Sequence, residues 1–163
     1  MVILGIDPGT ASTGYGLIDT QDQLRVVEYG CIRTSSSQEM VDRLKIIYKK
    51  VKEIVQRFYP EEIAIEQVFF NRNTRTALSV GQARGVIMLA ASCKGAKIFS
   101  YTPLEVKQAV TGYGKAKKRQ VQRMVKKLLN LPQVPTSNDA ADAMAIAVCH
   151  YYSRGIKRVI NSL

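Results

Sequence analysis

Short apolar-rich runs occupy residues 2–7 (VILGID), 13–19 (TGYGLID) and 24–34 (LRVVEYGCIRT), with Leu4 and Ile6 alternating with Gly5 and Asp7 in the first, and turn-forming residues separate the three. These runs predict three consecutive antiparallel strands. The period then changes: Met40, Leu44, Ile47, Tyr48, Val51, Ile54, Val55 and Phe58 recur at three- and four-residue spacing, which predicts a long amphipathic helix with Ser36 and Glu39 as its capping box. Pro60 stops it, residues 61–66 return as a strand, and 74–93 read as a helix of small and apolar residues. KIFSY at 97–101 is a fifth strand. Thr102, Pro103 and Glu105 supply the N-cap, first and third positions of another helix, which the glycines around Tyr113 break. A basic helix follows over about 116–130, and a last one over about 138–152.

Three hairpin-linked strands followed by strands alternating with helices imply an α/β layer fold, a mixed five-stranded sheet covered by helices. At 163 residues this is one ordinary domain. We expect a single domain over 1–153 and a short, frayed basic tail over 154–163. Cys31, Cys93 and Cys149 are odd in number and lack a CxxC pair, which fits free thiols in a reducing, cytoplasmic setting. No apolar run is long enough to span a bilayer, and no cleavable leader precedes the first strand, so no membrane association is expected.

Four acids change the picture. Asp7 ends the first strand, Glu66 ends the strand at 61–66, and Asp139 and Asp142 lie three apart at the start of the last helix. Strand alternation puts Gly5 beside Asp7 and Ala64 beside Glu66, each on the face opposite the large apolar residues. Such a face admits a closely packed helix, and the last helix carries Ala140, Ala141, Ala143, Ala145 and Ala147. Packed there, it would bring all four carboxylates together. Clustered carboxylates repel and raise one another's pKa, so they need cations or shared protons. All-oxygen ligands select hard ions, magnesium before zinc. The expected chemistry is two-metal phosphodiester hydrolysis, one ion activating water and the other steadying the leaving oxygen. Taken singly, Asp7 before Pro8 reads equally well as a turn former, Glu66 as a strand-end charge and Asp139 as a helix-start residue. His150, over two turns beyond Asp142, reads as a helix-end or packing histidine rather than a ligand.

Charge bears on partners rather than on chemistry, and ribosomal and membrane-surface proteins are basic too. Lys and Arg number 24 against 13 Asp and Glu, a net charge of +11 that favours polyanionic partners. Lys115, Lys117, Lys118, Arg119, Arg123, Lys126 and Lys127 fall within 115–127 without an acid, a pattern of a phosphate-binding surface more than of a merely solvated helix. The glycines beside Tyr113 allow close backbone approach.

ILGIDPGTASTGYG at 3–16, AIEQVF at 64–69, GQARG at 81–85 and DAADAMAIA at 139–147 closely resemble the RuvC family of bacterial Holliday-junction resolvases, in order and through nearly the whole chain. The resemblance implies a ribonuclease H-like fold, a homodimer, magnesium (with manganese as substitute, two ions per site) and paired incisions in opposing strands of a four-way DNA junction, beside the branch-migration proteins RuvA and RuvB. By match of motif Asp7, Glu66, Asp139 and Asp142 take the catalytic and metal-binding positions, and Lys107 and Lys118 match lysines placed near the scissile phosphate. Phe69 would stack on an unpaired base at the junction centre, although Phe69 and Phe70 read equally as closing the core at the strand's end. Arg72 and Arg75 join Tyr113, Lys115, Lys117, Lys118, Arg119 and Arg123 as candidate DNA contacts. Gly81, Ala83, Gly85, Ala90 and Ala91 would allow close approach of a second subunit or, equally, of the chain's own sheet. Three other readings stand beside this one: a related ribonuclease H-like nuclease acting on RNA or another branched DNA, a catalytically silent DNA-binding module, and an ATP-binding domain of the actin and sugar-kinase type, for which the chain is too short.

Overall fold

Five strands, β1 (Val2–Asp7), β2 (Ser12–Asp19), β3 (Arg25–Arg33), β4 (Glu62–Glu66) and β5 (Lys97–Tyr101), form one sheet in the order β3-β2-β1-β4-β5 in the computed structural model, which describes residues 1–67 and 74–161. β1 pairs antiparallel with β2 and β2 with β3, whereas β1–β4 and β4–β5 are parallel. This is the mixed sheet, antiparallel first and parallel after, that the ribonuclease H-like expectation requires. The most central strand, β1, is therefore held on both edges.

Alternation along the strands sorts the helices into two layers. Leu4, Ile6, Ile63 and Ile65 are wholly buried beneath α1 (Met40–Phe58) and α2 (Thr74–Ser92), each side chain contributing roughly 1.5–3 kcal/mol by leaving water. The opposite face, with Ile3, Gly5 and Ala64, receives α5 (Asn138–Asn161), flanked by α3 (Pro103–Thr111) and α4 (Lys118–Leu128). Among the described residues, no helix is long and apolar enough to cross a membrane.

The local signals around α3 act as expected. Thr102 Oγ1 accepts from the Glu105 amide at 3.1 Å, the Glu105 carboxylate accepts from the Thr102 amide at 2.7 Å, and Gly112 closes the helix at φ 75°. The start of α1 differs. No Ser36–Glu39 box forms, and the helix begins at Met40 with Glu39 at its N-cap. Residues 35–38 instead satisfy one another in a turn, with the Ser35 amide donating to Gln38 Oε1 at 3.0 Å and the Ser37 amide donating to Ser35 Oγ at 3.2 Å. Serines that bond locally offer the backbone an alternative to the helix. At the other end of the chain, α5 does not stop near 152 but runs to Asn161, through the segment expected to fray after Ser153. Gly155, alone among helix formers, weakens a helix by only about 1 kcal/mol. Cys31, Cys93 and Cys149 are all free thiols.

Candidate active site

β1 and β4 run parallel with Gly5 opposite Ala64 and Ile6 opposite Ile65, so Asp7 and Glu66 emerge side by side at the carboxyl ends of adjacent strands. The next strand prepares a seat for the third and fourth acids. Gly14 pairs with Asp7 and Gly16 with Gly5, and a Cβ on any of these glycines would collide with α5: on Gly5 with the Ala143 carbonyl, on Gly14 with the Asp139 carbonyl, on Gly16 with Met144. Only a side-chain-free floor lets the helix backbone come so near. The amino end of α5 consequently lies against Asp7. Oxygens of Asp7, Asp139 and Asp142 come within 4.8 Å of one another, all three residues being half-buried. Glu66 stands next to them, close enough to share a hydrogen bond with Asp7.

The electrostatics follow from this crowding. Burial, then the charges of Glu66, Asp142 and Asp139, push the Asp7 carboxyl up to about 8, against a smaller opposing pull from Lys118. Burial and then Asp142 raise Glu66, with the Asp7 hydrogen bond, Lys118 and Lys107 acting the other way. Lys118 Nζ donates to Asp142 Oδ2 at 2.6 Å. Its own burial opposes the charged form, but this bond and the charges of Asp142, Asp7 and Asp139 raise it above the ordinary lysine value. Lys107 and Lys118 line a cavity of about 200 Å³ together with Glu66, Asp142, Val106 and Val121. Crowded carboxylate oxygens whose charges oppose one another, opening on a cleft walled by two lysines, suit a hard divalent ion. Asp7, Asp139, Asp142 and Glu66 are thus the groups that fit it.

The other candidates fall around this centre. Tyr113 is exposed on the turn between α3 and α4, and Lys115, Lys117, Arg119 and Arg123 are exposed on the same stretch. Among the described residues, Lys118 is the member of this basic run that pairs with a carboxylate. Phe69, Phe70 and Arg72 lie outside the described residues, and Arg75 stands on the first turn of α2 with its side chain outside them. The small residues of α2 divide between the two roles open to them: Ala83, Ala90 and Ala91 are buried in the core, whereas a Cβ on Gly81 or Gly85 would point into open space, on a face that also exposes Leu78 and Leu89. His150 is a packing histidine, wholly buried and hydrogen-bonded to Tyr101 and Glu62.

Three functional features escaped the sequence reading. Gly14 and Gly16 complete the floor under α5, and their signal was available in the alternation of TGYG. Thr13 Oγ1 donates to the Gly9 carbonyl at 2.6 Å and fixes the loop that leaves Asp7. Arg84 reaches from α2 to donate to the Glu66 carbonyl at 3.3 Å and to Ser100 Oγ at 2.7 Å; no local pattern announces such a contact.

Comparison with known proteins gives one consistent result. The family model described as "Crossover junction endodeoxyribonuclease RuvC" matches residues 3–150. A crossover junction endodeoxyribonuclease RuvC of Halothermothrix orenii is 55% identical over 159 residues, covering 97% of this chain and 96% of the relative. The protein of that name from Moorella thermoacetica is 55% identical over 151 residues, 92% of this chain and 90% of the relative. A solved structure of Thermus thermophilus RuvC in complex with Holliday junction substrate superposes with a TM-score of 0.91 at 35% identity, over 96% of each chain.

Proposed function

Because the chain belongs to the RuvC family of crossover junction endodeoxyribonucleases, we propose that it resolves four-way DNA junctions in bacterial recombination and repair by paired, magnesium-dependent hydrolysis in opposing strands. The observation that carries this reading is the meeting of Asp7, Asp139 and Asp142 within 4.8 Å, beside Glu66, at the mouth of a lysine-walled cleft. Asp7, Glu66, Asp139 and Asp142 would hold two magnesium ions, or manganese in their place, and such ions supply activation of the attacking water and neutralisation of charge at the scissile phosphate.

The chain's own groups do the rest. The four carboxylates fix where charge is neutralised, and their strand-end and helix-start positions keep them from adapting to a misplaced phosphate. Lys118 sits 2.6 Å from Asp142; when phosphate enters, its ammonium can turn from that carboxylate to the phosphoryl oxygens and offset charge in the transition state. Lys107 does the same from the other wall. Lys115, Lys117, Arg119, Arg123 and Tyr113 form the surface along which the phosphate backbone lies, and Arg72, Arg75 and the basic tail over 154–163 add to it. Phe69, with Phe70 beside it, stacks on an unpaired base at the junction centre.

Symmetric incision requires two such centres related by a two-fold axis, which a homodimer supplies. The face of α2 bearing Gly81, Gly85, Leu78 and Leu89 is the surface that fits it, since it is apolar and free of protruding side chains at the glycines. The branch-migration proteins RuvA and RuvB are the partners this activity implies, and chromosomal DNA as substrate implies the bacterial cytoplasm.

The test compares the protein with Asp7→Asn on synthetic four-way junctions and linear duplexes, with and without magnesium. We expect the parent to cut junctions only with the metal and the variant to bind but not cut. Cleavage by Asp7→Asn, or equal cutting of linear duplex by the parent, would overturn the assignment.

A further inference from the structure

α5 runs antiparallel to β4, and the two are tied at both ends. At one end Asp142 faces Glu66, and at the other His150 Nε2 lies 2.9 Å from Glu62 Oε2. The spacings agree: eight helical residues from Asp142 to His150 cover about 12 Å, and four strand residues from Glu62 to Glu66 cover about 13 Å. A third element joins the far end, because Tyr101 Oη lies 2.7 Å from His150 Nδ1. Tyr101 belongs to β5, pairs with Glu66 across the ladder and accepts the Gln67 amide at 2.7 Å. All three side chains are almost wholly buried, Glu62 at 2% exposure and the other two at 0%.

Between these ends the contact is smooth. Ala143 and Ala147 lie on Gly5, and the Asp139–Ala140 backbone lies on Gly14. Small residues against glycine set how closely the helix approaches but resist sliding and rotation poorly. A slip of one residue would move Asp139 and Asp142 by about 1.5 Å along the axis and turn them by about 100°, whereas metal ligands are held to roughly 0.2 Å.

We propose that Glu62, Tyr101 and His150 form a buried polar clamp that sets the register of α5 on the sheet and so places Asp139 and Asp142 at the ion site; they are positioning residues. The inference rests on the metal-dependent reading of the four acids. One tautomer satisfies all three groups: with the imidazole proton on Nε2, which faces the Glu62 carboxylate, Nδ1 is an acceptor and the Tyr101 hydroxyl, whose pKa burial raises, donates to it. Directional bonds of this kind, satisfied inside a low-dielectric core, specify one packing where apolar contact alone allows several.

The experiment measures manganese binding by calorimetry without DNA, together with junction affinity in EDTA and cutting across a magnesium titration, for the parent, Tyr101→Phe, His150→Phe and, as a control for destabilisation alone, Val125→Ala. We expect the two clamp variants to fold cooperatively, to bind junctions as the parent does in EDTA, and to lose about tenfold in manganese affinity, the scale on which groups behind metal ligands act, with cutting recovered at high magnesium. Val125→Ala should lose stability and keep its metal affinity. Parent-like manganese affinity in Tyr101→Phe and His150→Phe would overturn the clamp; if His150→Phe does not fold, Tyr101→Phe decides alone. A parent that binds no manganese would refute the reading of the four acids, which is a separate outcome.

Discussion

Asp7→Asn should make the metal-free protein more stable while abolishing its chemistry. Burial and the three neighbouring acids move the Asp7 carboxyl from 3.8 to about 8 in the folded protein, whereas in the unfolded chain it ionises near 3.8. Between about pH 4 and pH 8 the folded state therefore holds a proton that the unfolded chain releases, and stability falls as pH rises. At about 1.4 kcal/mol per pH unit, the penalty at pH 8 has a ceiling of about 5 kcal/mol, and at pH 5 it is about a third of that. Asparagine removes the charge but forfeits some of the carboxyl's hydrogen bonding, which leaves a net gain of about 2 kcal/mol at pH 8. For a chain of 163 residues that is a rise in melting temperature of about 4–8 °C. Unfolding followed by circular dichroism in EDTA at pH 5 and pH 8 measures it. The gain should shrink at the lower pH, and magnesium should stabilise the parent but not the variant. Equal or lower stability of Asp7→Asn at pH 8 in EDTA, or a difference indifferent to pH, would refute the reasoning.

Gly5→Ala drives a methyl group into the Ala143 carbonyl, and since backbone cannot rotate aside as a side chain can, we expect a loss of about 2–3 kcal/mol in urea unfolding together with most of the cutting activity. Lys118→Ala should lower the cutting rate about 100-fold with little change in junction affinity, and Lys118→Arg should restore part of it; a rate within threefold of the parent for Lys118→Ala would remove the lysine from the mechanism. Replacing Lys117 and Arg119 by alanine should weaken junction binding irrespective of sequence and reduce the slope of log affinity against log salt by about one for each residue.

The sheet and most helices were legible in the sequence because burial imposes its period directly on them. The small residues beside Asp7 and Glu66 carried more than the acids themselves: Gly5 and Ala64 announced a face that only a close-packed helix could cover, and the alanines at 140–147 identified the helix. What stayed hidden was set by contacts between distant segments. The Ser36–Glu39 box is a correct local pattern that loses to the mutual hydrogen bonds of residues 35–38, and α5 continues to Asn161, past the expected end near 152, because Gly155 is too weak a breaker to stop it. His150 read correctly as a packing residue, but its partners Glu62 and Tyr101 lie 88 and 49 residues away, on strands whose register no local pattern discloses. Arg84 was invisible for the same reason.

The most direct measurement is anomalous diffraction from a crystal of the protein soaked in manganese. Density for the ion is expected between oxygens of Asp7, Asp139 and Asp142 at about 2.0–2.3 Å, with Glu66 at its edge. Manganese absent from this position, at a concentration that supports cutting of junctions in solution, would contradict the four-acid ion site.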